Sequence, residues 1–78
     1  MSAKEMFEKL GWEYYSPLCD SNTITYIKEV HDGYMYYRLE FFLYSREISI
    51  DTYITLDLLK AINKQIEELG WNKWKTKN

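Results

Sequence analysis

From Thr23 to Ile54 the chain is written largely in a period of two, and that pattern constrains the fold more than any other feature. Residues 34–44 place Met35, Tyr37, Leu39, Phe41 and Leu43 on one side of an extended chain, against Tyr34, Tyr36, Arg38, Glu40, Phe42 and Tyr44 on the other. Residues 47–54 repeat the pattern, with Ile48, Ile50, Thr52 and Ile54 alternating with Glu47, Ser49, Asp51 and Tyr53. Side chains of a strand point alternately to opposite faces, so both segments are expected to be strands with one buried face. Residues 23–30 are rich in β-branched side chains and supply a further strand. Asp32-Gly33 joins it to the next, because a type I′ hairpin turn needs φ > 0 at both central positions and these residue types tolerate that.

Ser45-Arg46 offers a second two-residue turn. With two such turns the register is determined. Phe41 would face Ile24 and Ile50, Leu39 would face Tyr26 and Thr52, and Leu43 would face Ile48. The apolar sets then share one face of a meander, and a slip of one residue would turn every one of them to the other side. Lys28 falls on that apolar face near its edge, where its stem must lie along the surface with the ammonium in water.

The flanking segments carry the 3.6-residue period instead. Ser2 followed by Glu5 is a capping box, and Ala3, Met6, Phe7 and Leu10 share one face of a helix over 2–10 that Gly11 ends. Residues 12–15 form a short aromatic edge strand that could also pair with another chain. Residues 16–22 are a loop by their turn residues. Thr55 is an N-cap, Ile54 can staple to Leu59, and Leu59, Ile62, Ile66 and Leu69 make the stripe of a helix over 56–69, closed by Gly70. A basic tail occupies 71–78. The expected architecture is one α+β domain, α-β-β-β-β-α: an antiparallel meander of three to four strands (about 12–15, 23–30, 34–44 and 47–54) with both helices on one face.

Seventy-eight residues give a small core, worth roughly 3–5 kcal/mol of net stability at this size, so homo-oligomerisation is a natural supplement. Cys19 is the single cysteine and has no partner for an internal disulfide, which fits a reducing compartment. No apolar run resembles a signal peptide or approaches the ~20 residues of a membrane span, and a cytoplasmic protein with no membrane partner is expected. The net charge of −2 and pI of about 5.3 argue against a nucleic acid as the principal partner. Aromatic residues make up 18% of the chain, with eight tyrosines and three tryptophans, more than so small a core can bury. Tyrosine and tryptophan are the types enriched at interface centres.

Four sets of residues are candidates for chemistry. The sheet face away from the helices would display Tyr36, Arg38, Phe42, Tyr44 and Tyr53 around Thr25, Glu40 and Asp51. That face is either a binding surface with aromatic anchors and one arginine, or an amphipathic strand face covered by Trp12, the loop or the tail. The two-residue second turn would set Glu40 opposite Asp51 at about 5 Å, where one pKa rises. Such a pair either holds a divalent cation or divides acid and base roles, or is simply solvated beside Arg38, and no third ligand is evident. His31 and Cys19 have no catalytic partner in sequence, and one Cys with one His provides no zinc spacing. In the tail, Trp71, Lys73, Trp74 and Lys75 interleave aromatics with lysines, which suits stacking on bases. Equally, Trp71 can complete the contact past the helix end, Trp74 can pack back on the domain, and the lysines can offset the negative helix terminus.

Residues 3–13, Ala3-Lys4-Glu5-Met6-Phe7-Glu8-Lys9-Leu10-Gly11-Trp12-Glu13, and 54–71, ending Ala61-Ile62-Asn63-Lys64-Gln65-Ile66-Glu67-Glu68-Leu69-Gly70-Trp71, resemble the ends of small proteins of phages and prophages in Gram-positive bacteria. The shared residues are capping and packing positions. The resemblance therefore implies a common fold and a mobile-element setting rich in inhibitors of host defence, and it transfers no functional residue. The element order is also similar to that of the double-stranded-RNA-binding domain. That domain opens its last helix with lysines where this chain has Thr55-Leu56-Asp57, so the likeness is one of topology alone.

Together these features lead to the expectation of a non-catalytic, cofactor-free accessory protein that binds a host protein as an inhibitor. Two other classes stay open: an oligomeric sponge holding a nucleotide-like small molecule on Tyr36, Tyr53 or Phe42 with Arg38 at a phosphate, and a nucleic-acid-binding module using the sheet face and the tail.

Overall fold

The computed structural model describes residues 1–33 and 35–71. The N-terminal helix α1 spans Ala3–Lys9, capped by Ser2. The Ser2 hydroxyl accepts the Glu5 amide at 3.1 Å while the Glu5 carboxylate accepts the Ser2 amide at 2.8 Å, so both halves of the capping box form. These bonds hold the Glu5 carboxyl below its ordinary pKa. Strand β1 is only Glu13–Tyr14, β2 is Thr23–Val30, β3 is Met35–Phe42, β4 is Glu47–Ile50, and helix α2 is Leu56–Glu68. The sheet is an antiparallel meander in the order β1-β2-β3-β4.

The first hairpin has the register expected of Asp32-Gly33. Ile24 pairs with Phe41, Tyr26 with Leu39, and Val30 with Met35, and both Asp32 (φ 54°) and Gly33 (φ 89°) take the left-handed conformation. The second hairpin differs. Leu39 pairs with Ile50, Glu40 with Ser49, Phe41 with Ile48 and Phe42 with Glu47, so the connection is Leu43-Tyr44-Ser45-Arg46 instead of a two-residue turn. Asn22 is the physical reason. Its carbonyl accepts the Leu43 amide and its side chain accepts the Tyr44 amide, both at 2.8 Å. Leu43 and Tyr44 are thereby bound toward β2 and withdrawn from β4, and the Arg46 amide closes the loop on the Phe42 carbonyl at 2.8 Å. β3 and β4 end at Phe42 and Ile50, short of the expected residues 44 and 54.

The shift is by two residues, so the faces survive it. Tyr26, Leu39 and Phe41 meet Phe7 of α1 and Leu58, Ala61 and Ile62 of α2 in one core, which Trp12 and Trp71 close at its ends. Phe7 lies 4.3 Å from the Tyr26 ring centroid and 6.1 Å from that of Phe41, and Phe41 is 6.3 Å from Trp71. Trp12 thus belongs to the core and not to an open edge, and β1 pairs with β2 through Glu13–Ile27 and Tyr14–Tyr26. Lys28 is half-buried, and a methyl group at Gly11 would meet its stem at 3.4 Å, so it lies along the core edge as its position required.

Helix α2 packs against α1 and is rotated from the expected stripe. Leu58, Ala61, Ile62 and Gln65 are buried, Ile66 and Leu69 flank them, and Leu59 is exposed, as is Ile54. The rotation brings the Gln65 carbonyl to accept the Tyr26 hydroxyl at 3.0 Å, and the Glu68 carboxylate to accept the Ala3 amide at 2.8 Å. That second bond satisfies an N–H left open at the start of α1 with an acceptor from the last turn of α2. Thr55 caps α2 by accepting the Leu58 amide at 3.1 Å, and Gly70 (φ 77°) takes the left-handed turn that lets Trp71 fold back onto Phe41.

Candidate functional site

With both helices on one face of the meander, the other face is left to the side chains of odd residues on β2, even residues on β3 and odd residues on β4. The segment Ser16–Leu18, a single 3-10 turn after β1, folds over one end of it. The Thr25 hydroxyl donates to the Leu18 carbonyl at 3.1 Å and Thr25 is wholly buried, so this residue is covered and not displayed. The Cys19 thiol takes part in the same attachment. It lies 3.3 Å from the Tyr15 carbonyl and accepts the Thr25 amide at 3.3 Å. Cys19 is therefore a structural clasp at one end of β2, while the His31 backbone lies at the other end.

Beyond this cover the face opens into a trough of about 570 Å³. Tyr15 and Leu18 line it from the connection between β1 and β2, Ile27 and Arg38 from paired positions of β2 and β3, and Tyr36, Glu40, Ser49 and Asp51 complete the lining. That volume lies within the usual range for small-ligand or side-chain pockets, about 300–1,000 Å³. The trough gathers Tyr36, Arg38, Glu40 and Asp51 from the expected set.

The remaining expected residues lie elsewhere. Phe42 is half-buried at the end of β3, between Thr23 and Glu47. Tyr44 sits in the loop and Tyr53 beyond β4, each 93% exposed, and Tyr53 lines a separate depression with Tyr37 and Thr52. Trp71 is a core residue. Tyr34, the His31 side chain and the tail residues Lys73, Trp74 and Lys75 lie outside the described residues.

Glu40 and Asp51 are not directly opposed, which corrects the expected carboxylate pair. Glu40 faces Ser49, and Asp51 stands two residues further along the same side, a diagonal neighbour. Asp51 accepts the Arg38 backbone amide at 2.8 Å, and the Arg38 guanidinium lies 3.9 Å from the Glu40 carboxylate. Arg38 thus meets Asp51 through its backbone amide and Glu40 through a loose ion pair of its guanidinium. Among the described residues no group of three or more His, Cys, Asp or Glu side chains is placed to hold a metal ion, and no helix is long and apolar enough to cross a membrane.

Sequence reasoning did not find Tyr15, Leu18, Ile27 or Ser49. Ile27 and Ser49 share the parity of Thr25 and Asp51, so the alternation carried the signal for them. Leu18 and Tyr15 reach the trough only through the folded loop, and no local pattern announces that. No protein-family model, curated protein or solved structure matches the chain.

Proposed function

We propose that this protein acts by binding, without catalysis, and that the open sheet face receives a segment of a partner protein. The observation that carries this reading is the trough, a concave site with aromatic and apolar walls and a few convergent polar groups on a face the helices leave bare. Tyr36 is 54% exposed there and supplies the kind of aromatic anchor that dominates protein interfaces. The sheet is held by the core on its other side, so the surface is preorganised and binding it costs little ordering. The resemblance of both chain ends to small phage and prophage proteins supplies the setting: an accessory protein that occupies a host protein and inhibits it.

A nucleotide-like ligand suits the trough less well. A phosphate on Arg38 would lie beside the Glu40 and Asp51 carboxylates, whose repulsion offsets its attraction to the guanidinium. The test is affinity capture from lysate of a Gram-positive host with the wild-type protein and with Tyr36→Asp in parallel. A host protein retained in stoichiometric amount by the first and lost with the second is expected. Identical recoveries, or none, would refute the reading.

A further inference from the structure

Resting on the binding role of the open face, we infer that the trough takes an arginine side chain presented by the partner. Its charge is the first reason. Arg38 contributes one positive charge against the carboxylates of Glu40 and Asp51, so the lining is net negative in a protein that is itself at −2. Among the described residues, this balance favours a cation over an anion.

The arrangement of the two acids is the second reason. Glu40 lies on β3 and Asp51 just past the end of β4, held opposite Arg38, so the two are diagonal neighbours, a relation that sets Cα atoms roughly 7–8 Å apart. A planar group with a fork of N–H donors spans that gap, whereas a compact ammonium reaches one acid at a time. The Arg38 amide fixes one Asp51 oxygen at 2.8 Å, which orients that carboxylate, and the 3.9 Å ion pair leaves Glu40 only loosely engaged.

The walls are the third reason. Tyr15 and Tyr36 contribute aromatic side chains to the lining, and Leu18 and Ile27 apolar ones. A guanidinium is weakly hydrated and stacks on such surfaces, while an ammonium keeps its water. Arginine accordingly matches the acids, the aromatics and the apolar lining better than lysine does.

The experiment is an amide-resolved NMR titration of the full chain with the blocked tripeptide Gly-Arg-Gly, its citrulline counterpart and inorganic phosphate. Saturable shifts centred on Tyr36, Glu40 and Ser49 are expected with the arginine peptide. Binding should be about tenfold weaker for citrulline, which keeps the shape and loses the charge, and for Glu40→Gln. It should also weaken as salt rises, because the trough is open to solvent. Equal binding of the arginine and citrulline peptides, an unaffected Glu40→Gln, or phosphate shifting these amides in place of arginine would overturn the inference. Should the host protein still be captured through Tyr36 while the arginine peptide does not bind, the guanidinium assignment falls and the binding role stands.

Discussion

The buried Tyr26–Gln65 hydrogen bond makes a sharp test of how α2 is seated. Tyr26 is 2% exposed and Gln65 6% exposed, and the phenol donates to the amide oxygen at 3.0 Å. In Tyr26→Phe the ring still packs between Phe7 and Phe41, but the Gln65 oxygen is left buried without a donor. Leaving such a group unpartnered costs about 1–3 kcal/mol, whereas a net hydrogen bond contributes only about 1. Gln65→Leu removes the acceptor and strands the hydroxyl, with a loss in the same range. The double variant removes both polar groups together and replaces them with apolar atoms, so it should be no less stable than either single variant. The cycle therefore predicts a coupling about as large as one single-variant loss, about 1–3 kcal/mol. Urea unfolding followed by tryptophan fluorescence reads this directly. With a slope near 1 kcal/mol per molar urea for so small a domain, each single variant should lower the midpoint by about 1–3 M. Strict additivity of the two changes would refute the contact, and with it the rotation of α2 that buries Leu58 and exposes Leu59.

The same tyrosine predicts an alkaline transition: burial first, and the Glu68 charge next, raise its pKa above the ordinary 10.0. The unfolded chain then ionises before the folded one, so stability should be intact below pH ~10 and fall above it, and Tyr26→Phe should flatten that slope in a series of melting curves. Glu68→Ala removes the acceptor that joins the start of α1 to the end of α2. About 1 kcal/mol should be lost, or roughly 4–8 °C in Tm by circular dichroism, and Glu68→Gln, which keeps an acceptor, should recover part of it. Glu5 should titrate below its reference value of 4.5 by NMR, and Ser2→Ala, which removes the hydroxyl but keeps the backbone amide that Glu5 accepts, should bring it only part of the way back up. Its stabilising contribution is present above the unfolded pKa and disappears as pH falls through the lowered one. Gly33→Ala should destabilise by about 1 kcal/mol in equilibrium unfolding, because φ 89° strains any side chain there; the nearest obstacle is the mobile Glu29 carboxylate, which can swing away.

Local chemistry alone determined a good part of this protein. The capping box, Thr55 and the helix-ending glycines act within a few residues of themselves, and the Asp32-Gly33 turn dictates the register from Val30–Met35 to Thr23–Phe42 because its geometry leaves one choice. The face of each strand was equally legible, since alternation reports burial directly. Alternation is blind, however, to a slip of two residues. Ser45-Arg46 lacks the residue types that enforce a tight turn, and Asn22, distant in sequence, settled the matter by capturing Leu43 and Tyr44. That slip moved Asp51 from Glu40 to Arg38 and so changed what the open face can hold. The seating of α2 was also a tertiary decision. Its leucines and isoleucines support more than one stripe, and the polar pair Tyr26–Gln65, invisible to hydrophobic periodicity, has its bond only in the rotation that buries Leu58. The trough itself exists only because a loop without regular pattern is fastened to Thr25 by hydrogen bonds at Leu18 and Cys19, contacts that no period in the sequence encodes.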